Sequence, residues 1–568
     1  MLAWIPPWIP LILGALVLPC CAPRWRPWLL LGLPLVGLYL VWQGTDGVVW
    51  QGQFLGFEVK PYVSSRLTRL FASVFMLVML IGGLYAMRRA SLLELSAASV
   101  YAAASVGVIH AGDLLTLFVF WELMAIGSTV VIFAAGTTAA YQAGLRYLLL
   151  HLFGGVLLMT GVVAWSIGHV DMSFGSMTDA LYGDGLDRFA AWCMLSGFLI
   201  NAAAPPFSAW VGDAYPQSSV TGMVFLSAFT TKTAVFVLIV GFPGAAILIW
   251  LGMAMVVYGV VYALLENDIR RVLAYSIVNQ VGFMVCAVGI GSELALNGAA
   301  GHAFSHIVYK ALLLMSAGAV LSQTGLSRCT ELGGLARSMP VSATCAIIGG
   351  LSISALPMTG GFVTKSLITS AAGEAHLAMT WLVLTGASAC AFLYVGLKFP
   401  WFVFFGKDSG LRPDEAPAHM CLAMIALAVL CVLLGVMPQT YYGLLPFPVE
   451  YQPYTAAHLV TQFQLLLFAG LAFFLLLPVL TPRPGRSIDF DWFYRSLPLA
   501  LGRWLVPPLA RVRLLFLGSC LDGVRYVLAF MQRSYGPQGL SGVWSSATMV
   551  SWVVATLALL VSYYFWMD

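Results

Sequence analysis

The chain has 568 residues, of which 61% are hydrophobic and 9% are charged, and its net charge is +4. An ordinary soluble domain carries about 25% charged residues, and a water-soluble protein of this size could not bury so much apolar surface. This composition excludes a soluble enzyme, a nucleic-acid-binding protein and a disordered scaffold. It indicates a polytopic membrane protein whose continuous apolar runs are helices, because the strands of a β-barrel would alternate.

Apolar runs recur along the whole chain, and they predict about sixteen membrane spans of about 20 residues each. The first run lacks a basic segment before it, which favours a membrane helix over a cleaved signal peptide. The runs are 8–21, 28–43, 67–87, 92–110, 114–135, 145–168, 189–207, 220–240, 246–265, 271–290, 296–322, 341–372, 377–405, 419–437, 459–480 and 548–566.

The basic residues of the loops predict which helix ends face the cytoplasm. If the first run starts outside, alternate loops are cytoplasmic, and these loops carry most of the basic residues, as the positive-inside rule requires. They hold Arg24, Arg26, Arg88, Arg89, Arg146, Arg270, Arg271, Arg328, Arg337, Lys407 and Arg412, whereas the opposite loop at 169–187 carries Asp171, Asp179, Asp184 and Asp187.

The segment 482–547 falls on the same cytoplasmic side and holds eight arginines but only three aspartates. Such a segment is typical of amphipathic helices that lie at the membrane surface. A strap that docks against a partner subunit is an equal alternative.

The sequence contains none of the common cofactor or metal-binding motifs. Its ten cysteines are scattered and form no CxxC pair, which is typical of small buried residues rather than of a disulfide framework or a c-type haem. Walker A and zinc signatures are missing, and no GxGxxG stands in the right context. We therefore expect no cofactor and assign no covalent chemistry, so the chain is expected to be a transporter subunit rather than an enzyme by itself.

Two of the predicted spans are interrupted by prolines. One contains Pro205 and Pro206, and the other contains Pro357 followed by two glycines. Proline breaks a helix, and a broken helix is tolerated in a membrane only where protein or a watery cavity satisfies the freed backbone groups. Two broken helices about 150 residues apart indicate a repeated unit with an ion pathway between the repeats.

Ionisable residues inside a membrane indicate function by default. Glu122 lies far from either end of its span and is predicted to bind or modulate a proton, with a structural carboxylate paired to a neighbouring helix as the alternative. Lys232 also lies at mid-span and is predicted to cycle a proton. A lysine that extends from a helix end toward the lipid headgroups is the alternative for Lys232.

His302, His306 and Lys310 follow one another at steps of four residues, which places them on one face of a helix. Imidazole titrates near neutrality and suits a proton relay. Structural hydrogen bonding and a metal or haem site are the alternatives for this face.

Three further residues complete the candidate pathway. Lys365 follows the second break and is predicted to be its terminal or gating site, with a structural role as the alternative. His151 and Lys398 are weaker candidates, because either could be a helix-end group that faces the headgroups.

Six sequence segments resemble the antiporter-like subunits of respiratory complex I and of Mrp-type multisubunit cation/proton antiporters, most closely the D-type subunit. The resemblance runs from about residue 60 to residue 440. The segments are GDLLTLFVFWELMAI around Glu122, SAFTTKTAVFVLI around Lys232, ENDIRRVLAYSIVNQVGFM at 266–284, HAFSHIVYKALLLMSAGAV at 302–320, and GGLARSMP with LSISALPMTGGFVTKSLI.

The resemblance implies a core of about fourteen membrane helices with two inverted five-helix repeats, each containing one broken helix. It also implies a polar axis at mid-membrane. In that axis Glu122 matches the carboxylate of the fifth helix, Lys232 the lysine of the eighth, and Lys365 the ionisable residue of the broken twelfth. His302, His306 and Lys310 match the polar face of the eleventh helix.

One departure from the family concerns the first broken helix. The family usually carries a lysine a few residues before its proline, and that position falls on Asn201 here. The histidine of the same motif is replaced by Ser208, and its Leu-Pro pair by Val211 and Gly212. Since asparagine can order water but cannot carry a proton, we expect Asn201 to line a hydrated path while Lys232 and Lys365 carry the charge.

The sequence therefore predicts an all-α polytopic membrane protein with about fourteen core helices and about two additional C-terminal ones. The N-terminal helices occupy 1–91, and the two half-channel repeats 92–240 and 241–405. C-terminal helices follow at 406–480, a basic amphipathic segment at 481–547 and a terminal helix at 548–568.

The predicted function is that of a proton- or cation-translocating subunit of a multisubunit Na+(K+)/H+ antiporter complex in a bacterial-type cell membrane. Its partners would be other membrane subunits, the lipid bilayer, protons and Na+ or K+. Three alternatives remain: a proton-pumping subunit of an NADH:quinone oxidoreductase or a membrane hydrogenase, a proton-conducting subunit of an inorganic-carbon uptake complex, and a stand-alone solute transporter.

Overall fold

The structure is a computed structural model, and it describes residues 4–54, 56–483, 485, 489–536, 539 and 544–567. The chain divides into two compact units, Met1–Asp491 and Trp492–Asp568, which we describe separately.

The first unit is built from α-helices and one β-hairpin. Helices α1 to α11 are Ile9–Val17, Arg26–Gln43, Arg66–Ala86, Leu92–His110, Leu114–Phe133, Thr138–Gly168, Thr178–Tyr182, Gly185–Asn201, Ala209–Ala214, Gly222–Ala228 and Thr230–Gly241. Helices α12 to α21 are Ile247–Leu265, Ile269–Ile290, Glu293–Thr324, Pro340–Ile353, Gly360–Glu374, Ala378–Ala391, Ala418–Val436, Pro438–Tyr442, Ala456–Leu475 and Leu477–Leu480. Two π-helical stretches, Phe392–Lys398 and Trp401–Phe405, follow α17.

Side-chain caps explain where many of the long helices begin. A serine, threonine or aspartate before the first turn accepts a hydrogen bond from a backbone amide of that turn, which satisfies a donor that the helix leaves free. The capping residues are Ser65, Ser91, Asp113, Thr137, Asp268, Ser292 and Thr455.

The β-hairpin joins α2 to α3, and the sequence analysis did not predict it. Its strands are β1 (Gly47–Phe54) and β2 (Phe57–Ser64), which pair in antiparallel fashion from Gly47 opposite Ser64 to Phe54 opposite Phe57. Tyr62 is buried, and its ring packs edge-on against Trp8 at 5.6 Å. The hairpin is thus fixed to the helices at one side and exposed along most of β1.

Among the described residues, thirteen helices are long and apolar enough to span a membrane, and two more apolar helices, Ile9–Cys20 and Pro340–Ile353, are shorter. This confirms the predicted all-α polytopic class. The core of the fold lies in α10 to α11, α13 and α14, because 94% of the apolar window of each of these spans is buried by protein.

The two interrupted spans end their first halves with the same backbone turn. Ala203 after α8 and Ala355 after α15 have positive φ angles of 61° and 58°. The amide of the next residue reaches back five residues in each case, from Ala204 to Leu199 and from Leu356 to Leu351, both at 3.0 Å. This is the Schellman type of helix end. Pro205 and Pro206 follow the first turn, and Pro357 follows the second.

The second unit is described by itself. Helix α22 (Asp491–Arg495) lies at its boundary, α23 (Leu497–Tyr535) is continuous over 39 residues despite two internal prolines, and α24 is Ser546–Met567. At 1.5 Å per residue α23 is about 58 Å long. It is a single helix where the sequence analysis expected amphipathic helices. Whether it lies at a membrane surface or against a partner subunit stays a prediction, as do the predicted domain boundaries.

Candidate functional site

A row of polar side chains runs along one face of α14 in the middle of the core. His302, His306 and Lys310 are each 0% exposed. The spacing of four residues stacks them, as the sequence predicted. The facing helix α13 presents Gln280 and Ser276, again four residues apart, and Gln280 contacts His302 while Ser276 contacts Lys310. Two matched polar faces therefore meet between α13 and α14.

His302 is held by hydrogen bonds at both ring nitrogens. Its Nδ1 lies 3.0 Å from Thr364 Oγ1, and its Nε2 lies 3.1 Å from Gln280 Oε1. The hydroxyl of Tyr309 lies 3.0 Å from the same Gln280 oxygen and 3.3 Å from His302 Nε2. This hydroxyl can donate either to the amide oxygen or to the imidazole, so the arrangement has a partner for Nε2 with and without a proton.

His306 and Lys310 differ in their surroundings. Both ring nitrogens of His306 are buried without a hydrogen-bond partner among the described residues, and the nearest rings are Tyr309 at 5.3 Å and His302 at 6.3 Å. Lys310 Nζ donates to the hydroxyl of Ser276 and lies 3.5 Å from the carbonyl of Leu273.

Lys232 lies where the helix is irregular. Helix α10 ends at Ala228 and α11 begins at Thr230, which leaves carbonyl oxygens of α10 available. Lys232 Nζ donates to one of them, Ser227 O at 2.6 Å, and to Thr231 Oγ1 at 3.1 Å. The side chain is 0% exposed, so the lysine does not extend from a helix end to the headgroups.

Lys365 is placed by the second helix break. It lies in α16, and its Nζ donates at 2.6 Å to the carbonyl of Ile353, the last residue of α15. The ring of Phe283 lies 4.9 Å from the ammonium. A cavity of about 370 Å³ adjoins Lys365, and its polar lining includes Ser388 and Gln462. The break thus supplies the lysine with an acceptor and with space beside it.

Electrostatic interactions link the three lysines and the two imidazoles described above into one set. Lys232 interacts electrostatically with Lys310 and with both imidazoles, and Lys365 interacts with Lys310, His302 and His306. None of the three lysines forms an ion pair with a carboxylate in the part of the chain that the structure describes. The described residues also include no group of three or more metal-ligating side chains.

Glu122 lies in the first half of the core, where helix α5 packs against α6. Its Oε1 is buried without a hydrogen-bond partner among the described residues. A Cβ on Gly155 of α6 would overlap that oxygen, so the glycine leaves the space that the carboxyl group fills. Glu122 therefore rests on the backbone of α6.

Asn201 is the last residue of α8 and is 0% exposed, and neither of its side-chain polar atoms has a partner among the described residues. The preceding Ile200 packs beside Gly154 of α6, next to the glycine that accommodates Glu122. The register that the sequence predicted thus places Asn201 at the end of α8, a helix that packs on α6 beside the Gly155 notch that holds Glu122.

The two weaker candidates have different surroundings. His151 lies in α6, is 1% exposed and stacks on Tyr147 at 3.8 Å between ring centres. Lys398 binds backbone carbonyls at the end of α12, those of Leu264 at 2.6 Å and Glu266 at 2.8 Å. Lys398 therefore caps α12 from inside the protein rather than facing the headgroups.

The neutral partners of this row were not predicted from the sequence. Gln280, Thr364 and Tyr309 contact His302, but none of them carries a charge that would single it out in the sequence. The spacing of Ser276 and Gln280 was the available signal, because it repeats the four-residue step of the facing helix.

The helices that carry this row match a known protein family. Residues 111–391 match the family described as NADH:quinone oxidoreductase/Mrp antiporter, TM. The chain belongs to this antiporter-like family. The match includes Glu122, Lys232, the α14 row and Lys365.

Three relatives of known name are similar over 58–59% of this chain. The A/B-type subunit of the Probable K(+)/H(+) antiporter of Rhizobium meliloti is 29% identical over 36% of its own length. Hydrogenase-4 component B of Escherichia coli is 27% identical over 55% of its length, and the D-type Na(+)/H(+) antiporter subunit of Alkalihalophilus pseudofirmus is 28% identical over 69%. The chain thus spans about a third of the first relative and about half of the second.

Two solved structures share the fold of this antiporter-like chain. A chain of the Mrp complex from Dietzia sp. DQ12-45-1b matches 78% of this chain and 95% of its own, with a TM-score of 0.69 and 21% identity. A chain of the membrane-bound sulfane sulfur reductase, an archaeal respiratory membrane complex, matches 98% of this chain and 99% of its own, with a TM-score of 0.71 and 20% identity.

Proposed function

We propose that this antiporter-like subunit conducts protons along the row Lys232, His302, His306, Lys310 and Lys365 within a multisubunit Na+ or K+/H+ antiporter complex. The observation that carries the proposal is that three buried lysines and two buried imidazoles form one connected set without a carboxylate partner among the described residues. Ionisable groups in a membrane interior mark ion and proton pathways.

The acceptors of the lysines support a role in proton transfer. A structural buried ammonium is normally paired with a carboxylate, because an unpaired buried charge is strongly unfavourable. Lys232 and Lys365 instead donate to a single backbone carbonyl each at 2.6 Å, and Lys310 donates to a serine hydroxyl. Such neutral acceptors hold the amine in place without fixing its proton.

Charge repulsion would couple successive sites. Two like charges about 8 Å apart, at an effective dielectric constant of about 20, repel each other by about 2 kcal/mol. A proton on Lys310 therefore opposes one on Lys232 or Lys365, so that loading one site favours release from the next. The hydroxyl of Tyr309, which can turn between Gln280 and His302, would let the imidazole of His302 take part in this transfer.

The second candidate function is that proton conduction along the same residues is coupled to a redox partner. It is favoured by the match of this chain, over 98% of its length, to a subunit of a respiratory membrane complex. The subunit would then belong to an NADH:quinone oxidoreductase-like or hydrogenase-like assembly. Copurified subunits with iron–sulfur clusters would support this candidate. A copurified partner with a zinc site would support a role in inorganic-carbon uptake. Transport activity of the isolated chain in liposomes would support a stand-alone transporter.

The test is proton movement by the complete complex, purified from its native cell membrane and reconstituted in liposomes with a pH-sensitive dye. Lys232→Ala and Lys365→Ala are compared with Lys407→Ala, which removes an exposed loop lysine. We expect both core variants to lose proton movement driven by Na+ or K+ by at least about 100-fold, the lower end of what a positioned proton-transfer group contributes. The loop variant should match the wild type.

Unimpaired transport in Lys232→Ala would remove Lys232 from the mechanism, and unimpaired transport in both core variants would refute the proposed function. Copurification of the partner subunits with each variant shows that a loss of transport is not a loss of assembly.

A further inference from the structure

A basic pocket lies between the end of α3 and the start of α18. It has a volume of about 460 Å³, and Arg88 and Arg89 are part of its lining. The start of α15 is close by, because Glu415, just before α18, accepts hydrogen bonds from the amides of Val341 and Ser342. The distribution of basic loop residues predicts that these helix ends face the cytoplasm. Three membrane helices thus meet at one positively charged place.

The polar groups of this pocket are suited to an anion. Arg88 and Arg89 form no ion pair with a described carboxylate. Both interact electrostatically with His419, whose Nε2 is buried without a hydrogen-bond partner among the described residues. Helix α18 begins here after Pro417 without a side-chain cap, so the positive end of its dipole lies at the pocket. Arginines of this kind bind phosphate groups well.

An apolar groove of about 580 Å³ lies between α15 and α18. Its walls come from α15 between Pro340 and Ile348 and from α18 between Ile425 and Leu433. Each wall is nine residues long and therefore extends for about 12 Å. Val429 in the middle of one wall is 52% exposed. A large exposed apolar surface of this kind marks an interaction site.

One exposed stripe of α18 connects the pocket with the groove. Ala418 lines the pocket and Ile425 lines the groove, and a separation of seven residues places them on the same helix face, two turns apart. Leu422 lies between them and is 56% exposed. From Ala418 to Leu433 the helix is about 22 Å long. One leaflet of a bilayer with its headgroup region is about 20–22 Å deep. The charged and apolar parts are therefore spaced as in one phospholipid molecule.

We propose that the pocket and the groove bind one anionic phospholipid, with its phosphate on Arg88, Arg89 and His419 and an acyl chain between α15 and α18. Basic pockets between membrane helices on the cytoplasmic side suit acidic lipid headgroups. An amphiphile fits better than a partner helix, because the positive charge is confined to one end of an otherwise apolar site. The lipid would join α3 and α18 to α15, the first half of the second broken helix.

The experiment measures lipid binding to the complete complex, purified in mild detergent and depleted of its native lipids. The probes are phosphatidylglycerol, phosphatidylcholine with the same acyl chains, and inorganic phosphate. Native mass spectrometry reports binding, and the unfolding temperature reports stabilisation. We expect phosphatidylglycerol to bind about 30-fold more tightly than phosphatidylcholine, since each of two arginines near an anionic lipid contributes about a factor of five. Inorganic phosphate should leave the unfolding temperature unchanged.

A double variant tests the headgroup pocket. Arg88→Gln with Arg89→Gln should weaken the binding of phosphatidylglycerol by about 30-fold, to the level of phosphatidylcholine. The matched control is Arg24→Gln with Lys407→Gln, which removes two exposed positive charges from loops on the same predicted side. This control should bind phosphatidylglycerol like the wild type.

A single variant tests the apolar groove. Val429→Trp fills the groove from an exposed position and should weaken the binding of both lipids by at least about tenfold, which corresponds to about two methylene groups that are no longer buried. Val436→Trp is the control, because Val436 is an exposed residue at the end of α18 and does not line the groove. It should keep wild-type binding.

Each outcome decides the inference. Equal phosphatidylglycerol binding in the wild type and the arginine variant would overturn it, and so would wild-type binding in Val429→Trp. Stabilisation by inorganic phosphate alone would assign a free-phosphate site instead. If the wild type binds no phospholipid, as when a partner helix fills the groove, the inference fails. Should the arginine variant not assemble, Val429→Trp decides. Because the readout is lipid binding, a complex that moves no protons would refute the proposed function and leave this inference intact.

Discussion

The two halves of the membrane domain differ in the surroundings of their buried polar side chains. In the second half Lys310, Lys365 and His302 are held by protein hydroxyls, carbonyls and an amide. In the first half Glu122 and Asn201 have buried polar atoms without a partner among the described residues. Buried polar groups are satisfied by protein or by water. Protein groups hold Lys232 in the first half as well, and His306 is the one residue of the second-half row whose polar atoms, like those of Glu122 and Asn201, lack a partner among the described residues. The two helix breaks therefore share a backbone turn but differ in the polar surroundings of the residues near them.

The largest effect that separates the halves is expected at the Gly155 notch. An alanine at this position would make its Cβ overlap Glu122 Oε1 and would displace the carboxyl group. Overpacking of this kind costs about 1–3 kcal/mol. We expect Gly155→Ala to lower proton movement by the reconstituted complex by roughly 100-fold, because the carboxylate no longer reaches the water of the notch.

The adjacent Gly154 is the control for this substitution. Its nearest contact to an added Cβ is Ile200 Cγ2 at 3.5 Å, an ordinary van der Waals distance. Gly154→Ala should therefore keep transport. Equal rates in the two variants would show that the position of the Glu122 carboxyl group does not matter.

A smaller effect is expected in the second half at Tyr309. Tyr309→Phe removes the hydroxyl shared by Gln280 and His302 but keeps the ring beside His306. Loss of one hydrogen bond of about 1 kcal/mol corresponds to roughly a fivefold change in rate. We expect proton movement to fall by about this factor, and the thermal stability of the complex to change little. A wild-type rate would exclude the hydroxyl from the transfer step.

The smallest effect on transport is expected at Lys398. Because this lysine caps α12 through the carbonyls of Leu264 and Glu266, Lys398→Met should lower the free energy of unfolding by about 1–3 kcal/mol, since it leaves buried carbonyls unpaired. The measurement is the unfolding temperature of the purified complex, followed beside its proton movement. If Lys398→Met abolished proton movement without changing the unfolding temperature, Lys398 would belong to the proton pathway instead.

How much of this the sequence could predict differs between the halves. The four-residue spacing of His302, His306 and Lys310 was sufficient to predict a common face, because helix geometry fixes it. The partners on α13 and α16 were not predictable, since periodicity says nothing about which helices meet. In the first half the register placed Asn201 correctly at the end of a broken helix but could not show what stands beside it.

Two further features lay outside what hydropathy can indicate. The β-hairpin at Gly47–Ser64 has strands of eight residues between apolar helices, too short and too exposed to produce a membrane-like signal. Lys398 and Lys365 could not be told apart in the sequence, because each is a lysine within an apolar run. Only the tertiary structure distinguishes a lysine that caps a helix from one that lies beside a cavity.

The most direct test of the central claim replaces Lys310 by arginine. Arginine keeps a positive charge and its donors for Ser276 but does not release its proton in a protein. In the reconstituted complex, with assembly checked by copurified subunits, we predict that Lys310→Arg stops proton movement as completely as Lys310→Ala does. Proton movement at the wild-type rate in Lys310→Arg would show that the row needs only a fixed charge there, and would contradict conduction through it.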